Sequence, residues 1–175
     1  MQEKIIITGM GSISSMGSTQ EEIWKNYDTQ TTRITPCCFN NCDTWVGKLH
    51  PNQEELLKNL RKENPQFRRL DKTVLLSIIS ARQAVKNAGW GEEKNISINL
   101  GSSRGATQLF EKYHKNFVQN KDDRLTPLVS PTTTLGNISS WVAYDIGSIG
   151  ASFSHSITCS TALHSVLNGI AWLTS

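Results

Sequence analysis

The sequence lacks most of the features that mark membrane, nucleic-acid-binding or disulfide-rich proteins. Its 175 residues include 4 cysteines and 7% aromatic residues, and the net charge is only +3. No apolar run is long enough to cross a membrane, so we expect no membrane insertion. A charge this small gives no reason to expect nucleic acid as a partner. Length and composition are typical of one globular domain that can bury a core.

Targeting and redox signals are also scarce. The apolar stretch at the N-terminus is only Ile5–Ile7 before a glycine loop, which is too short for a secretory signal peptide. Cys37, Cys38 and Cys42 crowd one segment, but only His50 is near enough to complete a second pair of zinc ligands. We therefore expect reduced loop thiols, no metal, no disulfide framework and a cytoplasmic location.

Patterns of strands alternating with helices place the chain in the α/β class. A dinucleotide site is not expected, because Ser14 stands where the third glycine of the fingerprint belongs. In the first part of the chain we predict a short buried strand over 4–8, a helix over 19–27 capped by Thr19, and a polar irregular surface segment over 29–52. A charged helix over 53–63, capped by Asn52 and followed by Pro65, comes next, and then a helix over 71–88. The second part is predicted to contain a strand over 96–100, a helix over 106–119, a loop over 122–131, a polar turn leading into a helix over 132–145, a buried strand over 150–158 and a final helix.

The helix over 71–88 has the clearest signals. Asp71 is a good N-cap and Gly89 a good C-terminal stop. Its apolar stripe predicts a face packed in the core, formed by Val74, Ile78, Ala81, Val85 and Ala88.

Cys159 is the most informative residue. A strand pattern precedes it and a helical pattern follows, so it is predicted to lie in a strand-to-helix turn. The N-terminus of a helix favours a thiolate, and its backbone N–H groups can face the oxyanion of an acyl-transfer intermediate. The competing interpretation is an inert small hydrophobe in a tightly packed helix start. The small neighbours Thr158, Ser160, Thr161 and Ala162 fit both interpretations.

Four motifs together resemble the β-ketoacyl-[acyl carrier protein] synthases of the thiolase superfamily. The first is Ile5–Gly11 followed by Met16-Gly17 and Trp24, and the second is the strand and glycine loop over 99–105. The third is the segment over 130–137, and the fourth is the turn over 156–164 with Cys159 at the acylated position. The resemblance runs along nearly the whole chain and is weakest over 29–65.

The resemblance implies the N-terminal half of a thiolase-like fold, a layered α-β-α half-domain with a mixed sheet. We expect residues 1–175 to form this half-domain, truncated after the nucleophile helix. The two histidines and the lysine that complete the family's active site have no counterpart, because His155 and His164 do not match by motif and are predicted to be structural. The residues implied for the substrate pocket are Ser102, Ser103, Arg104, Thr133, Thr158 and Ser160.

The resemblance also implies a reaction and partners. An acyl group passes from an acyl carrier protein thioester to Cys159, and in the full enzyme a decarboxylative condensation with malonyl-carrier protein follows. No resident cofactor is expected, since phosphopantetheine arrives on the carrier protein. We expect a homodimer or self-association through the segment near 130–157. Two alternatives stay open: a thiolase-like enzyme that acts on coenzyme A thioesters, and a non-catalytic partner subunit that sets chain length.

Overall fold

The computed structural model describes residues 4–39, 41–120 and 124–175. Helices and strands are interspersed along it, which confirms the α/β class. The elements are α1 (Gln20–Asp28), β1 (Ile34–Phe39), β2 (Cys42–Gly47), α2 (Pro51–Glu63), α3 (Lys72–Asn87), β3 (Ile98–Gly101), α4 (Thr107–Gln119), α5 (Val129–Thr133), α6 (Asn137–Ile146), β4 (Ser152–His155) and α7 (Thr161–Thr174), with 3₁₀ turns at Pro65–Arg69 and Thr158–Ser160. The predicted loop over 122–131 begins outside the described residues and ends inside α5.

The strands of the described residues form two separate two-stranded sheets. In one, β3 and β4 run parallel, with Ile98 opposite Ser152 and Gly101 opposite His155. In the other, β1 and β2 form an antiparallel hairpin. The mixture of parallel and antiparallel pairing predicted for one sheet is therefore divided between two small sheets.

Helix α3 is the centre of the core. The Asp71 side chain caps it by accepting a hydrogen bond from the Thr73 N–H at 2.8 Å. The chain leaves the helix through Gly89 in the left-handed region at φ +72°. Burial along the predicted stripe is complete at Val74 and Ile78 and partial further along the helix. The buried hydrophobic core is Leu57, Leu60, Phe67, Leu70, Val74, Leu75, Ile78, Ile79, Ile98, Ile138 and Val142.

Helix α2 begins two residues earlier than predicted. Its N-cap is His50, while Asn52 lies inside the helix and its side chain accepts from the Gln53 N–H. The Gln53 side chain is fully buried, accepts from the His50 N–H at 2.8 Å and donates to the Ser14 carbonyl at 2.8 Å. The Gln53 side chain thus provides hydrogen-bond partners for the His50 N–H and the Ser14 carbonyl, and this fixes a helix start before Asn52.

The prediction of a buried strand over 4–8 is wrong. The segment pairs with no strand of the described residues, and Ile6 and Ile7 are 73% and 82% exposed. The chain then crosses α3, where the Ser12 N–H donates to the Gln83 side chain at 2.9 Å. A Cβ at Gly11 would lie 2.0 Å from the Ser80 carbonyl oxygen, so this close crossing requires glycine.

The prediction of irregular structure over 29–52 is also wrong, because residues 34–47 form the β1–β2 hairpin. Asn41 adopts a left-handed conformation at φ +62° in its turn. Pro36 lies in β1, which is possible because both strands of a two-stranded sheet are edge strands and tolerate proline.

The strand predicted over 150–158 is shorter and more exposed than expected. It is limited to β4, and Phe153 and Ile157 are 55% and 44% exposed. Helix α7 forms as its spacing predicts, but most of its apolar residues are exposed, with Leu163 at 71%. Trp172 is partly covered, since its ring packs against Phe153 of β4. None of the helices that the structure describes is long and apolar enough to cross a membrane.

Candidate active site

Cys159 lies between the end of β4 and the start of α7, in the short 3₁₀ turn Thr158–Ser160. Its thiol is free and the residue is exposed. The position is the strand-to-helix turn that the sequence predicts. The first turn of α7 follows directly, so the residues whose backbone N–H groups form a helix N-terminus come immediately after Cys159 in the sequence.

Thr161 holds this turn together. Its buried hydroxyl oxygen accepts a hydrogen bond from the Ile157 N–H at 2.8 Å and donates to the Thr158 carbonyl at 2.7 Å. Between these two anchors, Thr158 adopts φ +46°, a left-handed conformation that is uncommon for a β-branched residue. Backbone strain of this kind costs about 1–3 kcal/mol and is found most often at functional sites.

The glycine loop over 101–105 is fixed against the same turn. The Ser102 N–H donates to the His155 carbonyl at 3.1 Å, and the Ser156 hydroxyl donates to the Ser103 carbonyl at 3.0 Å. The loop also closes on itself, since the Gly105 N–H donates to the Ser102 hydroxyl at 3.0 Å. The loop that follows β3 and the turn that follows β4 therefore lie side by side at the same end of the parallel strand pair.

The loop and the turn enclose an open cleft of about 440 Å³. Three of the pocket residues that the resemblance implies, Ser103, Arg104 and Thr158, line it beside Cys159. The complete lining is Gly101, Ser103, Arg104, Thr158, Cys159, Thr161 and Ala162.

The other three implied pocket residues do not line this cleft. Ser102 braces the glycine loop, and the Ser160 hydroxyl donates to the Ile157 carbonyl at 3.1 Å. Thr133 lies on α5, where its hydroxyl donates to the Val129 carbonyl at 2.6 Å. Sequence reasoning missed Thr161 as a lining and bracing residue. The available signal was a threonine at the first position of a helix, where hydroxyls commonly bond to nearby backbone groups.

The histidines near Cys159 contact α7 and its start. His155 Nε2 lies 3.4 Å from the Ser165 hydroxyl, and His164 Nδ1 lies 3.1 Å from the Ser160 carbonyl oxygen. In the part of the chain that the structure describes, neither ring is hydrogen-bonded to the Cys159 sulfur. In this geometry, His155 and His164 contact α7 and the residue before it rather than the thiol.

The remaining cysteines lie on the β1–β2 hairpin as free thiols. Within residues 4–39, 41–120 and 124–175, no group of three or more His, Cys, Asp or Glu side chains is arranged to hold a metal ion.

A cluster of positively charged residues lies where α2 is followed by the 3₁₀ turn Pro65–Arg69. Arg61 Nη1 donates to the Arg68 carbonyl at 2.9 Å, which folds the turn back on the helix. We call the surface formed by Arg61, Lys62, Arg68 and Arg69 the basic patch. Glu63, the acidic residue within it, is directed to Arg82 at 2.7 Å.

Residues 2–171 match the sequence model of the family described as "Beta-ketoacyl synthase, N-terminal domain". The chain belongs to the β-ketoacyl synthase family. Among curated ketoacyl synthases it resembles 3-oxoacyl-[acyl-carrier-protein] synthase 2 of Staphylococcus aureus (strain COL), at 27% identity over 94% of this chain and 41% of the relative. The synthase 2 of Vibrio cholerae serotype O1 is 24% identical over 94% of this chain and 41% of its own length.

Solved ketosynthase structures show the same fold. A β-ketoacyl synthase from Burkholderia phymatum STM815 superposes with a TM-score of 0.71 at 13% identity, over 93% of this chain and 41% of the other. The ishigamide ketosynthase/chain length factor gives 0.66 at 17%, over 94% and 44%. A type II polyketide ketosynthase in complex with its acyl-carrier protein gives 0.69 at 14%, over 96% and 47%. The chain thus has the fold of the matching part of these ketosynthases, and it spans less than half the length of the proteins it matches.

Proposed function

We propose that Cys159 accepts an acyl group from a thioester carried on phosphopantetheine. The observation that carries this proposal is an exposed thiol in a cleft at a strained strand-to-helix turn, beside an anchored glycine loop. A nucleophile needs access to its substrate and backbone donors next to the developing charge, and a helix N-terminus supplies such donors.

In the proposed step, the thiolate sulfur of Cys159 attacks the carbonyl carbon of the thioester. A carbon–sulfur bond forms, and the carbonyl oxygen becomes an oxyanion that backbone N–H groups of the turn stabilise. The bond to the pantetheine sulfur then breaks, and the pantetheine thiol leaves after taking up a proton. Thr161 keeps the turn in place through its two backbone contacts while these bonds change.

The basic patch supports an acyl carrier protein as the donor. Four cations lie within a short stretch, and a surface of one charge sign favours a partner of the opposite sign by steering and by complementarity. The curated relatives are named for an acyl carrier protein, and one structural neighbour is bound to its own. We propose that an acidic carrier protein docks at this patch and delivers its arm to the cleft.

For the longer protein we propose decarboxylative condensation with malonyl-carrier protein, in fatty acid or polyketide synthesis. The chain covers 41% of the relatives named 3-oxoacyl synthase, and the family resemblance assigns further catalytic residues to the part beyond it.

We also propose that the segment near 130–157 self-associates, because Tyr144, Ile149 and Phe153 are 56%, 78% and 55% exposed. Concentration-dependent sedimentation supports this, and a monomer at all concentrations contradicts it.

A non-catalytic subunit that sets chain length is the second candidate, since one structural neighbour is a ketosynthase paired with a chain length factor. Cys159 argues against it, because a subunit without chemistry needs no exposed thiol in this cleft.

The test uses octanoyl groups on three donors: an acyl carrier protein, coenzyme A and pantetheine. Intact mass should show one octanoyl adduct on the wild-type chain and none on Cys159→Ala, with the carrier-protein donor reacting fastest. Arg68→Glu with Arg69→Glu should slow only the carrier-protein donor. Preference for coenzyme A would favour a thiolase-like enzyme, and absence of an adduct from every donor would favour the non-catalytic subunit.

A further inference from the structure

Arg104 carries the one formal charge among the described residues that line the cleft, apart from the ionisable thiol itself. The other lining residues are glycine, alanine and hydroxyl-bearing side chains. Arg104 is exposed, so its charge remains hydrated in the free chain and attracts an anion that enters the cleft. The position of this charge therefore restricts what the cleft binds.

The backbone on each side of Arg104 is anchored. The Ser103 carbonyl accepts from the Ser156 hydroxyl, and the Gly105 N–H donates to the Ser102 hydroxyl, both at 3.0 Å. Gly105 is buried and adopts φ +69°, which fixes the direction in which the chain leaves the loop. The arginine is thus attached to a braced loop rather than to a flexible one.

The guanidinium forms no hydrogen bond or ion pair with the described residues, whose four ion pairs involve other cations. The nearby buried carboxylate of Asp71 is already engaged, since its two oxygens accept from the Thr73 and Leu109 N–H groups. None of the described residues occupies the Arg104 fork in an ion pair, and the preferred ligand of such a fork is a planar carboxylate.

We propose that Arg104 makes the cleft selective for reagents and acyl thioesters that carry a carboxylate a few bonds from the carbon that Cys159 attacks. This rests on the proposed acyl transfer: an octanoyl donor still reacts, and a half-thioester of a dicarboxylic acid reacts faster than an uncharged acyl donor of the same length. The phosphate of the pantetheine arm does not fit this role, because two amide units separate it from the thioester sulfur.

The test compares iodoacetate, an anion, with iodoacetamide, its neutral analogue, as alkylating agents of Cys159. Both react with the same thiolate, so the ratio of their rates cancels any effect of Arg104 on the amount of thiolate. A cation that lines the same cleft as the sulfur should raise the ratio by about three- to tenfold over that of Cys38 and Cys42, which serve as internal controls. Peptide mass spectrometry reads all three sites in one sample.

Arg104→Gln should reduce the ratio at Cys159 to that of the hairpin cysteines, and Arg104→Lys should retain most of it. Lys115→Gln, which removes an exposed charge on α4, should leave it unchanged. Arg104 is exposed and makes no contact that folding needs, so these variants are expected to keep the fold. A ratio at Cys159 equal to that of the hairpin cysteines, and insensitive to Arg104→Gln, would overturn the proposal.

A second arm compares glutaryl-pantetheine with pentanoyl-pantetheine, which differ in a terminal carboxylate. Faster transfer from the glutaryl donor, lost in Arg104→Gln, supports the proposal. Equal transfer from both donors leaves acyl transfer intact and rejects the selectivity. If neither donor reacts while the alkylation ratio is raised, the proposed acyl transfer fails and the anion selectivity of the cleft stands.

Discussion

The carboxylate of Asp71 joins the first turn of α3 to the first turn of α4 through the backbone of Leu109. One oxygen accepts from the Leu109 N–H at 2.8 Å, and the other accepts from the Thr73 N–H at 2.8 Å. Asp71 is 2% exposed, and Thr73 and Leu109 are half-buried, so water has limited access to the two donors. Because α4 follows the glycine loop directly, this residue also fixes one end of the candidate site.

Asp71→Ala should lower the free energy of unfolding by about 2–4 kcal/mol, since it leaves two backbone donors without an acceptor in a buried place. Urea unfolding followed by circular dichroism measures this. Asp71→Asn keeps one acceptor oxygen and should cost about half as much. A loss below about 0.5 kcal/mol for the alanine variant would contradict the double-capping role.

Arg82 ties α3 to α2 and α6. It donates to both carboxylate oxygens of Asp145, at 2.8 and 2.7 Å, and to Glu63 at 2.7 Å. The hydrogen bonds to Asp145 raise the pKa of Arg82 above its ordinary value. The Asp145 side chain is 4% exposed, whereas that of Glu63 is 51% exposed.

Arg82→Met should therefore destabilise the fold by about 1–3 kcal/mol, because it leaves the buried carboxylate of Asp145 unpaired. The loss is limited because the Arg82 side chain is partly exposed and solvent screens the pair. Glu63→Gln, which breaks only the exposed pair, should cost less than about 1 kcal/mol. Thermal unfolding of the two variants tests the ranking, and a larger loss in Glu63→Gln would contradict it.

Thr158→Gly should relieve the left-handed strain before Cys159 and stabilise the chain by about 0.5–1 kcal/mol. The same substitution at Thr107, where the backbone is helical, should destabilise. Differential scanning calorimetry compares them. If both glycine variants lose stability equally, the conformation of Thr158 is not strained.

The Thr19–Glu22 capping box should give a small acid-dependent contribution. The Ser18 N–H donates to Glu22 at 2.8 Å, and this backbone hydrogen bond is the main cause that lowers the pKa of Glu22. A carboxyl whose pKa is lower in the folded chain stabilises it above the ordinary glutamate range and stops doing so as the pH falls through the folded value. The stability difference between wild type and Glu22→Gln should be constant above the ordinary glutamate range and should shrink as the pH falls below it. A difference that does not change with pH would contradict this.

Local signals predicted the features that depend on a few neighbouring residues. Asp71 and Gly89 bound α3 as expected, Thr19 caps α1, and the change of period places Cys159 in its turn. These features depend only on hydrogen bonds between side chains and the backbone within one or two turns, so neighbouring residues in the sequence are enough to predict them.

Features that need a distant partner were predicted poorly. Ile5–Ile7 has a strand composition, but a strand forms only where another strand accepts its hydrogen bonds, and none of the described residues does. The helical spacing of α7 predicted the helix and not its exposure, since burial depends on what packs against it. The hairpin was missed because its segment is polar, and its strands are held by pairing with each other rather than by burial. The cleft required the parallel β3–β4 pairing, which brings Ser103 and Arg104 to Cys159 across more than fifty positions of sequence.

The central claim is that Cys159 is the residue that accepts the acyl group. We would incubate the wild-type chain with octanoyl-pantetheine, digest it and locate the adduct by tandem mass spectrometry. The account predicts octanoyl on the peptide that contains Cys159 and none on those with Cys37, Cys38 or Cys42, although Cys38 and Cys42 are also exposed. Equal acylation of the hairpin cysteines, or no acylation of a Cys159 that still reacts with iodoacetamide, would contradict it.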